Sequence, residues 1–412
     1  MKLSENLKIK RAKYDFFDGV VLVAVLILSA IGVLMVFSIT GTSIFNNRTG
    51  DRLSYMIHSA TGVIVGVMAM AVIAMLPNKL FRGKLGFFAL FGTIVILIIT
   101  PIFGLDVASS PGVYRWLAIP GIGIRFQAVD LARIGFTLSL PWLIQRLIDK
   151  QLYYTKKIWS SYWIPLAYIL LCTILIRLQP DLGSLIVIFL TGMIVFFSSG
   201  IHIKQMIFLF LLVAIAVATI AILGPAVLGL DPYQMTRIQM WLDPFNHPYG
   251  LQSRMGFVSI ALGGWWGVGL GGSTQALGFA IEPHTDLIVS ILSEELGLIT
   301  VIGVMFLYLL IACKCFFTAL KARDVFSALV CIGIGSFFLT QPFVNLGGVS
   351  GIIPLSGVTL PLISFGMTSK ISTFILIGIY FNMRRYILID VEKSKERKEM
   401  KDENNILEFP SV

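Results

Sequence analysis

Charged side chains are scarce in this chain: Asp, Glu, Lys and Arg supply 13% of its 412 residues, whereas 57% are hydrophobic. A soluble domain carries about 25% charged residues, so this composition excludes an ordinary soluble enzyme. Cysteine is also rare. The four cysteines, at positions 172, 313, 315 and 331, lie in or at the ends of apolar blocks and have no metal-ligand spacing. They are therefore interpreted as small buried side chains.

The sequence instead contains repeated apolar blocks of membrane-spanning length. About 20 helical residues cross the ~30 Å hydrocarbon core of a bilayer. The blocks predict an all-α integral membrane protein with about ten transmembrane helices, at about 18–40, 56–76, 85–104, 129–148, 159–177, 184–200, 205–228, 285–313, 325–346 and 358–383. The first block is too long for a signal-peptide core and lacks a cleavage site, which indicates a retained span.

Basic residues are distributed unevenly between the loops. Of the 32 Lys and Arg residues, 23 fall in the two tails and in alternate short loops. By the positive-inside rule this bias predicts cytoplasmic termini, and it explains the net charge of +10 without nucleic acid. The expected parts are a cytoplasmic tail (1–17), a membrane domain (18–383) with a large extracytoplasmic loop between spans 7 and 8 (229–284), and a charged cytoplasmic tail (384–412), disordered beyond Asp390.

The nine remaining basic residues lie on the predicted outer face, and eight of them are Arg. Arg binds phosphate or carboxylate with a planar, permanently charged fork. The preference suggests an anionic ligand outside the membrane. The alternative is that these residues form salt bridges with nearby Asp side chains.

Two polar motifs interrupt the apolar pattern in the first half of the chain. In RWLAIPGIGIRFQAVDLAR, Asp130 and Arg133 lie one helical turn apart at the start of span 4. They suit either a ligand site or a carboxylate near a helix N-terminus with its own partner. In LQPDLGS, a proline breaks the helix beside Asp181, and a broken helix at membrane depth is tolerated where it lines a cavity.

Two further motifs stand in the second half. IEPHTDLIVSILSEELG places His284, Asp286 and Glu295 along span 8, an arrangement that suits cation or proton handling, or else a helix cap with a buried ion pair. NLGGVSGIIPLSGVTLPLISFGMTSK is rich in Gly, Pro and Ser. It predicts an irregular backbone packed against protein, with Ser364 and Lys370 near a cavity, or simply close packing of small residues.

Together these motifs resemble the SEDS family (shape, elongation, division and sporulation), which includes FtsW, RodA and SpoVE. The resemblance covers nearly the whole chain and is most specific in RW…FQ…DLAR, LQPDLGS, EPHTD…EELG and IPLSGVTLPLISFG. It implies a peptidoglycan glycosyltransferase in the bacterial cytoplasmic membrane that polymerises lipid II during division or elongation. The loop pattern and short tails favour an FtsW-like role.

The resemblance also implies a site and partners. The expected substrate-binding residues are Arg115, Gln127, Asp130, Arg133, Gln179, Asp181, Arg237, Glu282, His284, Asp286, Glu295, Ser364 and Lys370. A divalent cation (Mg or Mn) would assist departure of the pyrophosphate, and no organic cofactor is expected. Its protein partners would be a class B penicillin-binding protein and other divisome or elongasome membrane proteins.

The sequence departs from the family pattern at the residue regarded as catalytic. In the outer loop, His247 stands where the second Asp of a DP-x-x-DP-x-G pattern is expected. Three interpretations remain open: His247 is the base, since an imidazole exchanges protons near neutral pH; Asp243 takes that role; or the protein is a catalytically weakened paralogue. That paralogue would serve as a scaffold or activator of a penicillin-binding protein. Another alternative is a flippase for lipid-linked precursors, which requires a polar path to the cytoplasmic side.

Overall fold

A computed structural model of the chain describes residues 17–42, 51–107, 110–118, 125–153, 158–201, 207, 232–248, 250–277 and 285–407. Most of this part of the chain is helical, as the apolar blocks predict. The predicted seventh span (205–228) falls almost wholly outside the described residues, as do residues 1–16 of the N-terminal tail. The total of ten spans therefore stays a prediction.

Helices occupy all six predicted spans of the first half. They are α1 (Gly19–Thr42), α2 (Asp51–Met75), the short α3 (Asn78–Arg82), α4 (Lys84–Phe103), α5 (Ala128–Asp149), α6 (Ile158–Arg177) and α7 (Leu182–Phe197). Helix α7 begins where Asp181 caps its N-terminus, accepting a hydrogen bond from the Ser184 amide. Hydropathy therefore located these helices to within a few residues, because each is bounded by polar or Gly/Pro-containing sequence.

The second half contains helices both in the predicted outer loop and in the predicted spans. They are α8 (Pro232–Leu242), α9 (Leu251–Gly263), a 3₁₀ turn (Gln275–Leu277), α10 (Ile288–Ala319), α11 (Val325–Val349) and α12 (Met367–Leu407). The last predicted span needs correction at both ends. Helix α12 starts at Met367, not at 358, and it continues through most of the tail that was expected to be disordered. Helix formers such as Lys, Glu and Met dominate that tail, so helicity continues past the apolar part.

The expectation of an all-α fold is wrong between α4 and α5. Strands β1 (Leu105–Val107), β2 (Ser110–Ala118) and β3 (Arg125–Gln127) form an antiparallel sheet in which Trp116 pairs with Gln127. Gly and Pro disfavour a helix here, and Val, Tyr and Trp favour extended backbone. The sheet holds β3 directly before the first turn of α5.

Helices pack in neighbouring pairs around a buried apolar core. Helix α12 lies along α2, α10 along α11, α4 along α5, and α7 against both α6 and α11. Small residues allow close approach, as expected where lipid removes the hydrophobic drive between helices. A Cβ added at Gly66 would lie 2.3 Å from Phe374, and one added at Gly86 would lie 2.2 Å from Trp142.

Five described helices are long and apolar enough to cross a membrane: Gly19–Thr40, Leu53–Met75, Lys84–Phe103, Ile288–Ala319 and Val325–Val349. Many of their large apolar side chains are exposed, including Ile64 and Phe91. In a bilayer these exposed side chains face lipid. The chain is a multi-pass membrane protein.

Ion pairs connect the helices at one end of the bundle, which we call the basic end. Arg82 forms an ion pair with Asp324. Asp18, at the start of α1, lies 3.5 Å from Lys314 Nζ and 3.8 Å from Arg384 Nε. We call the opposite end, which carries Asp130 and Asp181, the site end.

Candidate active site

The first turn of α5 buries an ion pair at the site end. Asp130 Oδ1 lies 3.4 Å from Arg133 Nη1, and the two residues are only 2% and 5% exposed. The Arg133 guanidinium also lies over the ring of Phe337, 4.5 Å from its centroid. Burying two charges is costly unless they are paired. The predicted relation between Asp130 and Arg133 is thus confirmed as a desolvated pair rather than a surface one.

Asp181 joins this pair from a different part of the chain. Its carboxylate accepts hydrogen bonds from Ser184 Oγ (2.9 Å) and from Gln127 Nε2 (3.1 Å). Arg115, on β2, donates to the backbone carbonyl of Pro180 at 2.7 Å. Asp181 also lies within electrostatic range of both members of the α5 pair. The sheet therefore brings the motifs RW…FQ…DLAR and LQPDLGS into one cluster.

The start of α12 completes this cluster. The side chains of Thr368 and Ser369 lie beside the Asp130 carboxylate. Neither was among the expected binding residues, although both stand in the small-residue motif that precedes the last span. We call Asp130, Arg133, Asp181, Thr368 and Ser369 the buried polar cluster.

Two expected binding residues hydrogen bond to other helices. Gln179 Nε2 donates to the carbonyl of Leu97 in α4 at 3.1 Å. Lys370 Nζ donates to Ser59 Oγ in α2, and Lys370 is 1% exposed. These bonds fix the LQPDLGS turn to α4 and the first turn of α12 to α2. Both residues position the elements that carry the cluster.

The segment 352–366, which we call the bridging segment, runs without helix from the end of α11 to the start of α12. Side chains satisfy its backbone: Gln341 donates to Thr359 O at 2.6 Å, Asn345 donates to Val358 O at 2.5 Å, and Tyr308 donates to Pro361 O. Irregular backbone at membrane depth is stable only when its polar groups are satisfied within protein. The prediction of an irregular backbone packed against protein is confirmed.

Glycines let the bridging segment pass between helices. A Cβ added at Gly183 would lie 2.1 Å from Val358 Cγ2, and one at Gly32 would lie 2.5 Å from Leu362 O. Gly183 is two residues from Asp181, and the segment ends one residue before Met367. The bridging segment is therefore packed directly against two elements of the cluster.

Ser364 and Asp286 connect the bridging segment to the start of α10. Ser364 Oγ accepts from Leu360 N at 2.7 Å and donates to Thr285 O at 2.6 Å. Asn345 Nδ2 donates to the Asp286 carbonyl at 2.9 Å. These expected binding residues thus lie at a junction of three elements rather than within the buried polar cluster.

The two glutamates of the EELG motif are held by hydroxyl and amide donors. Glu294 accepts from Ser273 Oγ (2.7 Å), Thr274 N (2.8 Å) and Thr274 Oγ1 (3.0 Å). Glu295 Oε2 accepts from Ser38 Oγ in α1 at 2.6 Å. Glu294 was not among the expected substrate-binding residues, although it belongs to the motif expected to handle cations or protons. Both carboxylates attach the glycine-rich segment before the 3₁₀ turn to α10 and α1.

The predicted catalytic candidates lie together in the loop between α8 and α9. Asp243 is exposed and its carboxylate accepts from the Asn246 side chain at 3.1 Å and 3.2 Å. The His247 amide donates to Asp243 O at 3.2 Å, so the two candidates are one turn apart. Trp241 Nε1 donates to Gly351 O at 2.8 Å, which fixes this loop to the residue directly before the bridging segment.

The structure does not describe the side chains of three expected binding residues. Glu282 and His284 lie outside the described residues, as does the side chain of Arg237. Among the residues that the structure describes, no three His, Cys, Asp or Glu side chains converge as metal ligands. We assign no chemical step to a divalent cation. The expected cation stays a prediction.

Comparison with known proteins identifies the family. The family profile for cell cycle proteins of the FtsW, RodA and SpoVE type matches residues 19–387. The chain belongs to this family. It is therefore a relative of the SEDS membrane proteins, as the four motifs indicated.

Relatives with assigned names cover nearly the whole chain. A probable peptidoglycan glycosyltransferase FtsW of Halomonas elongata is 27% identical over 388 residues, which are 93% of this chain and 92% of that protein. The peptidoglycan glycosyltransferase MrdB of Escherichia coli K12 is 30% identical over 382 residues, 91% of this chain and 96% of that protein. Matches of this extent leave no large domain unaccounted for in either relative.

Solved structures share the fold. A chain from a peptidoglycan synthase complex that coordinates polymerization and crosslinking superposes with a TM-score of 0.70 at 24% identity, covering 88% of this chain and 97% of that one. The rod shape determining protein RodA of Thermus thermophilus gives a TM-score of 0.63 at 20% identity, covering 90% and 97%.

Proposed function

We propose that this protein is a peptidoglycan glycosyltransferase that polymerises lipid II at the outer face of the cytoplasmic membrane during cell division or elongation. Its family and the names of its relatives support this activity. The observation that carries the proposal is the buried polar cluster. Three separated stretches of sequence, at the start of α5, in the LQPDLGS turn and at the start of α12, contribute to this cluster, which an ordinary structural ion pair does not require.

The proposed topology has ten spans with both termini in the cytoplasm. Its basis is the basic end, where Arg82, Lys314 and Arg384 gather, because positive charge is retained inside. The buried polar cluster and the loop with Asp243 and His247 then face outward. A lipid-linked sugar in the outer leaflet would meet both.

Two chemical tasks must be met by the chain's own residues. The leaving pyrophosphate needs cationic donors fixed in place before the reaction, because preorganised charge in a dry site stabilises a developing anion. Arg133 is the buried candidate, held by Asp130 and Phe337. The attacking sugar hydroxyl needs a base within hydrogen-bond reach. Asp243, which is exposed, and His247, which is half-buried, are the candidates, and they lie on one turn.

A labelled lipid II assay separates the candidates for the base. Purified protein would be tested with a class B penicillin-binding protein, comparing wild type with Asp243→Asn, His247→Ala and His247→Asp. If His247 is the base, polymer is lost in His247→Ala and kept in Asp243→Asn. The reverse pattern assigns Asp243.

The same assay tests the weakened-paralogue alternative, which rests on His247 alone. That alternative predicts no polymer from wild type under conditions in which His247→Asp produces it. Such a result would overturn the glycosyltransferase proposal and favour a scaffold that activates the penicillin-binding protein.

A flippase of lipid-linked precursors is less well supported. It needs polar groups along the path between the two ends of the bundle. In the described residues the ion pairs gather at the two ends, and apolar clusters fill the space between α10, α11 and α12. Movement of fluorescent lipid II across vesicles that contain the purified protein would support the flippase instead.

A further inference from the structure

The loop between α9 and the 3₁₀ turn exposes large apolar side chains. Its tip, residues 264–272, has the sequence GWWGVGLGG, and no charged residue occurs anywhere in 255–281. Trp265, Trp266, Val268 and Leu270 are 61%, 83%, 50% and 53% exposed. Four large apolar residues exposed within six positions form a patch that water disfavours. Another apolar surface is therefore expected to cover the patch.

Hydrogen bonds fix this tip against a break in α10. Gly297 has φ +82°, which interrupts the helix and frees backbone groups. Val268 N and Gly269 N donate to the carbonyls of Glu294 and Glu295, both at 2.9 Å. In return, Leu298 N donates to Gly264 O at 2.9 Å. The tip is therefore held at a defined height along α10.

The height of the tip can be calculated along two helices, α1 and α10. On α1, Asp18 pairs with Lys314 at the basic end, and Ser38 bonds to Glu295 and to the Gly271 amide. Twenty residues of helix separate Asp18 from Ser38, which is about 30 Å, the thickness of a hydrocarbon core. On α10, Lys314 and Glu295 are 19 residues apart, which is about 29 Å. Both helices place the tip one hydrocarbon thickness from the basic end.

The lipid-facing side of α10 continues into the tip. Ile299, Ile302 and Phe306 are 45%, 54% and 60% exposed on a helix that crosses the membrane. The Ile299 amide donates to Trp265 O at 3.4 Å. The exposed tryptophans therefore adjoin the point where this lipid-facing strip begins.

We propose that the tip 264–272 is an interfacial anchor, whose Trp265, Trp266, Val268 and Leu270 side chains insert into the headgroup–acyl boundary of the leaflet at the site end. Trp is favoured at this depth because its ring is apolar and its N–H reaches polar groups. The sequence predicted an extracytoplasmic loop over the whole stretch 229–284. The anchor would hold its middle part on the bilayer surface, independently of any reaction.

Fluorescence quenching tests the anchor in the full-length protein reconstituted alone into phosphatidylcholine–phosphatidylglycerol vesicles. The four native cysteines are replaced by alanine, and an NBD probe is attached at Trp266→Cys or, as the control, at Asn246→Cys. Asn246 is exposed in the polar loop after α8. We expect the probe at 266 to be quenched best by lipids with a nitroxide near the carbonyl group, and several-fold less by aqueous iodide than the probe at 246.

Equal iodide quenching at both positions would overturn the anchor, because it would leave the tip in water. Strongest quenching by nitroxides near the chain ends would also overturn it, because it would place the tip deep in the core. Since no partner protein is present, protection from iodide can only come from lipid or from the protein itself, and nitroxide quenching identifies lipid.

A glycine pair provides a second, matched test. A Cβ at Gly297 would lie 2.3 Å from Trp265 O, whereas a Cβ at Gly303 on the same helix meets nothing within 4 Å. Gly297→Ala should move the tip and raise iodide quenching of the probe at 266, and Gly303→Ala should leave it unchanged. Equal quenching in the two variants, with folding retained, would contradict attachment of the tip to the α10 break.

Discussion

Replacement of Arg133 by Gln should destabilise the protein, because it leaves the buried Asp130 carboxylate without its ion-pair partner. Asp130 is 2% exposed, and Arg133 is its ion-pair partner within the described residues. Breaking a buried pair by removing one partner typically costs about 3–5 kcal/mol, because the remaining charge stays desolvated. Asp181 adds like charge nearby. We therefore expect Arg133→Gln to lower the free energy of unfolding by several kcal/mol.

Neutralising the partner should reverse most of this loss. In the double variant Asp130→Asn/Arg133→Gln no buried charge of the pair remains, so the free energy of unfolding should return towards wild type, with a coupling energy of at least about 3 kcal/mol. Unfolding by SDS titration in mixed micelles, followed by tryptophan fluorescence, measures all four corners of the cycle.

Glycan polymerisation, measured on the same samples, separates a structural role from a catalytic one. The double variant should stay inactive even though its stability recovers, because the guanidinium is gone. If the two single changes simply add, the pair is not coupled and the account of the cluster is refuted. If the double variant is both stable and active, Arg133 has no part in the reaction.

Three further predictions concern the framework of the site. Gly183→Ala should abolish polymerisation by pushing Val358 away from the LQPDLGS turn, whereas Gly92→Ala, whose Cβ meets nothing within 4 Å, should leave activity unchanged. Asn345→Ala leaves two carbonyls of the site end without their donor and should lower the unfolding free energy by about 1–3 kcal/mol in the SDS titration. Arg82→Ala should destabilise the protein yet leave the rate per folded molecule unchanged, because it breaks the Asp324 pair at the basic end; a lower rate per folded molecule would show that the two ends are coupled.

Hydropathy and the positive-inside rule predicted most of the membrane part. Span boundaries came within a few residues because each apolar block is about one bilayer thick and is bounded by Gly, Pro or charge. The last span was misplaced because 358–366 is as apolar as a helix, yet runs irregularly between α1 and α7. Apolar composition indicates burial and not backbone conformation. Here the irregular segment is distinguished from a helix only by the side chains that donate to its carbonyls, such as Gln341 and Tyr308.

The sequence identified the polar motifs, but it predicted few of the contacts between them. Asp130 and Arg133 are three residues apart on one helix, so spacing alone was sufficient to pair them. Ser38 with Glu295 and Ser59 with Lys370 are 257 and 311 residues apart, and no periodicity links them. The partners of Glu295 and Lys370 on other helices were therefore not predicted, and their expected role in substrate binding stays a prediction.

The three-stranded sheet was missed for a local reason. Gly and Pro around β2 resemble a loop in any hydropathy profile, and β3 has only three residues. Pairing of Trp116 with Gln127 joins two positions that no hydropathy pattern links. The sheet matters for the site, because it brings Arg115 and Gln127 to the LQPDLGS turn.

The central claim is that this chain polymerises lipid II through the buried polar cluster. Its most direct test is glycan polymerisation from labelled lipid II by the purified protein with a class B penicillin-binding protein whose transpeptidase is blocked by a β-lactam. The account predicts long glycan products from wild type and none from Asp130→Asn, with no product from the penicillin-binding protein alone. Undiminished polymer from Asp130→Asn, or none from wild type, would contradict it.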